Sequence, residues 1–320
     1  MSLPEWSVDF AVDRLNAVYS LPLPEPVVDW AIGGATGRGI KVAIIDSGVD
    51  KDHPRVGGVA GAVVIESDDS PEGFRAVEGD HEDLVGHGTA CAAIIRGLAP
   101  EAEIYSVRVL GANLKGRGSL FFSGIRWAMD AGMNVVNMSL SSKSEQWFAP
   151  LHEIADEAYF RRVVLVCAAN NMPGPTYPSE FASVLSVAAR EGSDPYAIAC
   201  NPAPPVEFGA CGIDIDVAWS GGTSIVASGN SFATPHITGL VALLLSKHPE
   251  LSTFQVKAVL AAMADNAAKA PDTPTGAQDT TAGQNTTVRE PDTPVGAPSP
   301  KISAARPTVG EPNTTVEGAP

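Results

Sequence analysis

The pattern of apolar and polar positions divides the chain near residue 264. Before that point, short apolar runs alternate with segments whose apolar residues recur at helical spacing, and beyond it neither pattern is present. The apolar runs are continuous, which is typical of strands that are buried on both faces of a sheet. These predicted strands are KVAIID (41–46), IYSVRVL (104–110), NVVNMSL (134–140), VVLVCAA (163–169) and SVLSVAA (183–189).

Helix candidates lie between and after these strands, at residues 88–96, 120–131, 149–159 and 235–247. The alternation of strands and helices predicts an α/β fold of three layers, with a mostly parallel central sheet and helices on both faces. In such folds, functional residues gather at the carboxyl ends of the strands and at helix N-termini.

Residues 265–320 differ in composition, because they contain no aromatic residue and are rich in Pro, Thr, Gly, Asp and Ala. The sequence PDTP occurs at 271 and 291, and NTTV occurs at 285 and 313. Such a segment buries too little apolar surface to offset its ordering entropy. We therefore expect a folded domain at 1–264 and a disordered tail at 265–320. The tail could be a tether, a partner-binding motif or a segment without function.

Charge and hydropathy restrict the classes of partner and the cellular location that the sequence predicts. The formal net charge of −16 argues against nucleic acid or an anionic membrane surface as the main partner. The N-terminus lacks the basic and apolar regions of a signal peptide, and the longest apolar runs, such as Leu240–Leu245, are too short to span a bilayer. These features predict a cytoplasmic protein, or a secreted one if a prepropeptide has been omitted.

The four cysteines have no zinc-binding spacing. Cys91 and Cys167 lie in apolar stretches, which indicates small buried side chains. Cys200 and Cys211 flank a Pro-rich segment and could form a disulfide, although nothing else in the sequence indicates an oxidising compartment.

Three polar residues lie where strands end or helices begin. Asp46 ends the first predicted strand, His87 lies between glycines in GHGTACAAII, and Ser231 precedes a helix whose first turn is suited to Pro235. Each residue alone would be explained as a cap or a structural side chain. Together they supply a carboxylate, a base and a nucleophile, the set that an activated serine requires. Free N–H groups at the helix N-terminus would suit a developing oxyanion.

The segments VAIIDSG, GHGTACAAI and GNSFATPHITG, in this order, resemble the three signature segments of the subtilisin-like serine proteases, or subtilases. The likeness covers about residues 25–264. It implies a catalytic triad of Asp46, His87 and Ser231. In the segment CAANN, it implies Asn171 as the oxyanion-binding asparagine, with Asn170 in place of the glycine that usually precedes it.

The resemblance also implies that a protein or peptide substrate binds as an extended strand. The matching segments are Lys115–Gly116 and Ser139–Leu140–Ser141. Thr176 and Ser141 stand where the family commonly has glycine, which predicts a narrowed main specificity pocket. Gly118 stands where an aromatic residue often lines the fourth pocket, which predicts that this pocket is open.

The function implied is that of a serine endopeptidase, serving general turnover or the maturation of one peptide. A transpeptidase or macrocyclase would use the same acyl-enzyme, and a catalytically inactive binding protein on the same fold is the remaining alternative. The family's tight calcium loop, which interrupts the helix after His87, is missing, so no cofactor is expected, while weak calcium binding stays open. Cys91 follows His87 by four residues, as in the proteinase K branch, which would place its thiol below the histidine.

Overall fold

The computed structural model describes residues 7–10, 27–68, 73–267 and 315–318. The chain divides into two compact units. The first comprises residues 1–269 together with 314–320, and the second, residues 270–313, lies outside the described residues.

The described chain alternates strands and helices. The helices are α1 (Val27–Ile32), α2 (His87–Leu98), α3 (Gly118–Asp130), α4 (Phe148–Phe160), α5 (Asn230–Lys247) and α6 (Thr253–Met263). The strands are β1 (Lys41–Asp46), β2 (Gly61–Ser67), β3 (Phe74–Glu78), β4 (Glu103–Arg108), β5 (Lys115–Arg117), β6 (Val135–Met138), β7 (Leu140–Ser141), β8 (Val164–Ala168), β9 (Leu185–Arg190), β10 (Ala199–Cys200), β11 (Phe208–Cys211), β12 (Ile215–Trp219), β13 (Thr223–Ala227) and β14 (Thr315–Gly318).

A central sheet of nine strands has the order β10-β11-β9-β8-β6-β1-β4-β2-β3. The strands from β11 to β2 are parallel, and only the edge strands β10 and β3 pair antiparallel with their neighbours. Strand β1 therefore lies in the interior of the sheet, and its carboxyl end, at Asp46, is flanked by β4 and β6.

Helices cover both faces of this sheet. Because successive side chains of a strand point to opposite faces, Val42 and Ile44 of β1 pack with α1, α2, α5 and α6, whereas Ala43 and Ile45 pack with α3 and α4. All four side chains are buried. The predicted three-layer α/β fold is confirmed. None of the helices in the described ranges has both the length and the apolar character needed to cross a membrane.

The start of α5 differs from the prediction. The helix begins at Asn230, so Ser231 lies inside its first turn and Pro235 lies in the second. The asparagine side chain explains the earlier start, because it fixes this turn to β9 and to the end of β8. Its Oδ1 accepts from the N–H of Ala189 at 2.9 Å, and its Nδ2 donates to the carbonyl of Ala169 at 3.1 Å.

The folded chain also extends past the predicted boundary at 264. The N–H of Asp265 donates to the carbonyl of Ile198, and the side chain of Asn266 bonds both backbone groups of Cys200 on β10. These contacts join residues far apart in sequence, so the local composition does not reveal them. Of the remaining predicted tail, Thr315–Gly318 forms β14. The other residues from 268 onward lie outside the described ranges, and their predicted disorder stays a prediction.

The four cysteines are free thiols and all are buried. Cys200 and Cys211 therefore do not form the disulfide that the sequence left open. The thiol of Cys211 instead lies 3.0 Å from the carbonyl oxygen of Asp194.

Candidate active site

Asp46 and His87 form a buried pair at the carboxyl end of β1. The His87 Nδ1 lies 2.9 Å from each carboxylate oxygen of Asp46, and both side chains are inaccessible to solvent. Asp46 Oδ1 also accepts a 2.7 Å hydrogen bond from the N–H of Ser47. The carboxylate thus fixes the orientation of the imidazole and the tautomer with the proton on Nδ1.

The glycine after His87 allows this pair to form. A Cβ at Gly88 would lie 2.0 Å from the carbonyl oxygen of Gly48 and 3.1 Å from the Cβ of Asp46. Any larger residue would push the start of α2 away from the end of β1. The absence of a side chain at Gly88 therefore permits the close approach of the Gly48 backbone.

The charge environment of His87 favours its protonated form. Burial acts to lower the pKa of His87, but the charge and the hydrogen bonds of Asp46, with a further contribution from the charge of Asp83, raise this pKa overall. A raised pKa suits a residue that accepts a proton during a reaction.

Asp83 is a buried acid that the sequence interpretation missed. It organises the turn leading into α2, because its two carboxylate oxygens accept hydrogen bonds from several groups around His87. The donors are the hydroxyl of Ser47, the N–H groups of Val85, Gly86 and Thr89, and the hydroxyl of Thr89. The sequence signal for this role was the position of Asp83, four residues before His87 and ahead of the apolar run of α2.

Ser231 is buried in the same region as His87 and directly precedes a residue that contacts it. The ring of the adjacent Phe232 packs against the ring of His87, with 5.3 Å between the centroids. Both Ser231 Oγ and His87 Nε2 are buried and have no hydrogen-bond partner among the described residues. One is a hydroxyl that can donate a proton and the other is the ring nitrogen that can accept it. The structure thus leaves free the two atoms that a serine–histidine transfer would use.

The backbone of Ser231 is fixed from outside its helix. Pro235, four residues later, has no N–H to donate to the Ser231 carbonyl. The hydroxyl of Ser139 donates to that carbonyl instead, at 2.7 Å. Ser139 is buried and also accepts a 3.1 Å hydrogen bond from Asn137 Nδ2.

The two asparagines of the CAANN segment have different surroundings. Asn171 Oδ1 accepts a 2.9 Å hydrogen bond from the N–H of Asn230, the residue before Ser231. Asn170 instead donates its side-chain amide to the carbonyl of Met172 at 2.7 Å. With its Oδ1 engaged, Asn171 has its Nδ2 left to donate beside the first turn of α5.

The predicted substrate segments flank a cleft that strand β14 occupies. Lys115 and Gly116 lie on β5, and Leu140 and Ser141 form β7. A three-stranded sheet contains both, with the order β5-β14-β7. Ser139 directly precedes β7, so the cleft lies next to the carbonyl of Ser231. The structure therefore brings the two predicted substrate segments into one sheet and joins one of them, through Ser139, to Ser231.

Thr176 lies beside this cleft, because the next residue, Tyr177, pairs with Ser142 at the end of β7. Thr176 is buried, and its hydroxyl lies 2.7 Å from the hydroxyl of Ser179. At Gly118 the predicted open space is absent. A Cβ there would lie 2.1 Å from Nε1 of Trp147, so the indole of Trp147 occupies this space. Local sequence could not show this packing, because Trp147 belongs to a distant segment.

Among the described residues, Asp46, His87 and Cys91 are the group of potential metal ligands whose ligand atoms lie within 4.8 Å of one another. Asp46 and His87 are already paired. Burial, assisted by the charge of Asp46, raises the pKa of Cys91 well above its usual range, so the thiol stays protonated. As predicted, Cys91 lies near the site, with its Sγ 3.8 Å from the carbonyl oxygen of Ser231.

Comparisons with known proteins find a matching family and similar proteins. Residues 37–286 match the model of the subtilase family, peptidase S8. Subtilisin E from Bacillus subtilis (strain 168) is 34% identical over 239 residues, which is 70% of this chain and 60% of that relative, so the chain spans less than two thirds of its length. Subtilisin from Bacillus pumilus is 33% identical over 239 residues, 70% of this chain and 83% of the relative. The crystal structure of a cold-adapted subtilisin-like serine proteinase superposes with a TM-score of 0.58 at 26% identity, covering 82% of this chain and 92% of that one.

Proposed function

This chain belongs to the subtilase family, and on that premise we propose that it is a serine endopeptidase. One observation carries the proposal. His87 is held by both oxygens of Asp46 at 2.9 Å, while its Nε2 and the nearby Ser231 Oγ are buried without partners among the described residues. This arrangement provides an oriented base and an adjacent nucleophile.

In the proposed reaction, Ser231 Oγ attacks the carbonyl carbon of a peptide bond while His87 Nε2 takes its proton. Asp46 stabilises the resulting imidazolium. The N–H of Ser231, in the first turn of α5, and Nδ2 of Asn171 donate to the tetrahedral oxyanion. His87 then returns the proton to the leaving amine, and water hydrolyses the acyl-enzyme by the same steps in reverse.

The proposed substrate is a protein or peptide that binds as an extended strand between β5 and β7, through Lys115, Gly116 and Ser139–Ser141. Main-chain pairing of this kind tolerates many sequences, so selectivity comes from side-chain pockets. The reaction needs no cofactor, because the triad and the two N–H donors supply each step. We also propose that α2, which runs without interruption from His87 to Leu98, has no tight calcium site within it.

The test is labelling with a fluorophosphonate, which reacts covalently with an activated serine. We expect labelling of the folded wild-type chain and none in Ser231→Ala or His87→Ala. Ser228→Ala is the matched control. Ser228 lies three residues before Ser231 in sequence, and its hydroxyl donates to Asp214. Absence of labelling in the folded wild type would favour an inactive binding protein. Mass spectrometry of peptide products separates hydrolysis from transpeptidation.

A further inference from the structure

A segment near the C-terminus lies in the cleft itself. Strand β14 is located between β5 and β7 and runs antiparallel to both. On one side, the register places Thr315, Val316 and Glu317 opposite Arg117, Gly116 and Lys115. On the other, it places Glu317 and Gly318 opposite Ser141 and Leu140.

We propose that Thr315–Gly318 is a built-in ligand of the substrate cleft, which occupies the position of a substrate strand and competes with substrate. The competition rests on the function proposed above. The strand pairing is observed independently of that function.

The pairing has the features of peptide recognition by strand addition. One extended segment completes a sheet with two enzyme strands, and main-chain groups supply the contacts. Gly318 pairs with Leu140, the residue after Ser139, whose hydroxyl bonds the carbonyl of Ser231. The C-terminal end of β14 is therefore the end that lies toward the proposed nucleophile.

Strand β5 is basic in sequence, whereas β14 contains an acidic residue. Strand β5 contains two basic residues, Lys115 and Arg117, in a chain whose net charge is −16. Glu317 lies in register with Lys115. Opposite charges at facing positions of an antiparallel pair are favourable. This edge of the cleft therefore favours an acidic residue at the position of Glu317.

The repeat in the tail sequence provides a comparison within the same chain. NTTV occurs at 285–288 and again at 313–316, where it contributes to β14. The second copy is followed by Glu317, and the first is followed by Arg289. In the same register, the first copy would set Arg289 against Lys115, and like charges at facing positions are unfavourable. The C-terminal copy is therefore the better ligand.

Hydrogen–deuterium exchange on the full chain tests the occupancy without requiring activity. The comparison is made in a Ser231→Ala background, between the parent chain, Val316→Pro and Val288→Pro. Proline removes a main-chain N–H and disrupts strand pairing. We expect amides of 115–117 and 140–141 to exchange about tenfold faster in Val316→Pro, and at the parent rate in Val288→Pro. Equal exchange in all three chains would overturn the proposal.

Two further exchange measurements test which segment occupies the cleft and whether it belongs to the same molecule. Free peptide NTTVEGAP added to the Val316→Pro chain should restore protection of both segments. Protection in the parent chain should not change on dilution, because the ligand belongs to the same molecule. Protection that falls on dilution would overturn the intramolecular assignment in favour of a second copy.

Kinetics on the active chain tests the competition. Val316→Pro should lower the apparent KM for a peptide substrate roughly two- to tenfold with kcat unchanged, because a tethered competitor acts at a high effective concentration. Glu317→Lys should act in the same direction, while Val288→Pro and Glu311→Lys should have no effect. An unchanged KM in both test variants overturns the competition. If the chain hydrolyses no peptide, the proposed function fails, and exchange still decides whether the segment occupies the cleft.

Discussion

The hydroxyl of Ser139 donates a 2.7 Å hydrogen bond to the main-chain carbonyl of Ser231. The carbonyl needs this donor because Pro235 has no N–H. Ser139 itself lies between β6 and β7, at the border of the cleft, and Asn137 holds it from the preceding strand. The position of the proposed nucleophile is thus set by the segment that is also proposed to bind substrate.

We therefore expect Ser139→Ala to lower kcat about tenfold with little change in KM, because the first turn of α5 loses an anchor. The free energy of unfolding should fall by about 1–3 kcal/mol, since the buried carbonyl of Ser231 keeps only the weak thiol donor of Cys91. Steady-state kinetics and denaturant unfolding measure the two effects. Ser186→Ala is the control, because its hydroxyl donates to Pro205 away from the site. An equal loss of kcat in both variants would reduce Ser139 to a general stabilising role.

The two asparagines of the oxyanion segment should differ in their effect on turnover. Because Asn171 contacts the N–H of Asn230 and Asn170 turns to Met172, Asn171→Ala should lower kcat about 10²–10³-fold with little change in KM. Asn170→Ala should have a much smaller effect. Steady-state kinetics showing the reverse order would transfer the oxyanion role to Asn170.

Asp83 should shift the pH dependence of activity. Its negative charge contributes to the raised pKa of His87, so removing that charge lowers this pKa. Since catalysis requires neutral His87, the acid limb of the kcat/KM profile should move to lower pH in Asp83→Asn. Asp80→Asn is the control, because this side chain is exposed in the same loop. A similar shift in both variants would indicate a general effect of surface charge.

Loss of Asp83 hydrogen bonds should also destabilise the turn before α2, so the variant's fold is checked by circular dichroism. The pH profile separates the two roles. A merely structural residue would lower activity at every pH without moving the limb.

The buried part of the fold was predictable because burial leaves a continuous apolar signal. Strand β1 has the predicted bounds, 41–46, and five of its six residues are buried. The hairpin of β12 and β13 was not predicted, because much of it is exposed. Val226, for example, is 70% exposed, so its strand has no core-facing pattern. The short β5 and β14 depend on pairing with distant segments and have no local signature.

Within the site, the sequence identified residues that belong to the ordered signature motifs. It missed residues whose roles depend on tertiary contacts. Asp46, His87 and Ser231 belong to signature segments. Trp147 fills the space at Gly118 from another part of the chain, and no spacing relates the two. The hydrogen bonds of Asn230 to β9 likewise become visible only when the sheet is assembled.

Specificity at P1, the residue on the acyl side of the cleaved bond, should favour small or medium side chains. Thr176 and Ser141 are both buried beside the cleft and occupy space that glycine would leave. In peptides that differ only at P1, Ala or Leu should give a kcat/KM about tenfold above that of Phe, because one such contact is worth about 1–3 kcal/mol.

Thr176→Gly should raise cleavage after Phe. Ser179→Ala, which removes the hydroxyl partner of Thr176 without enlarging the space, is the control. Dominant cleavage after Phe or Tyr in the wild type contradicts the prediction.

His236 should make the fold sensitive to acid. It is buried on α5, where its Nδ1 bonds the carbonyl of Phe232, and burial lowers the pKa of His236 to about 4. The unfolded chain takes up the proton near pH 6.5, before the folded chain does. Stability is therefore lost as the pH falls from about 6.5 toward 4, by about 3 kcal/mol at most. His236→Gln, which retains a donor, should lose correspondingly less stability over this range in denaturant unfolding at pH 7 and pH 4.

The matched control is His152→Gln, which removes an exposed histidine from α4. It should lose as much stability as the wild type between the two pH values. His87 titrates with the opposite sign, since its raised pKa gives a contribution that is lost as the pH rises, and it is retained in all three chains. A difference between wild type and His236→Gln therefore reports on His236. Equal losses of stability in all three chains would show that the proton bound on acid unfolding goes to a group other than His236.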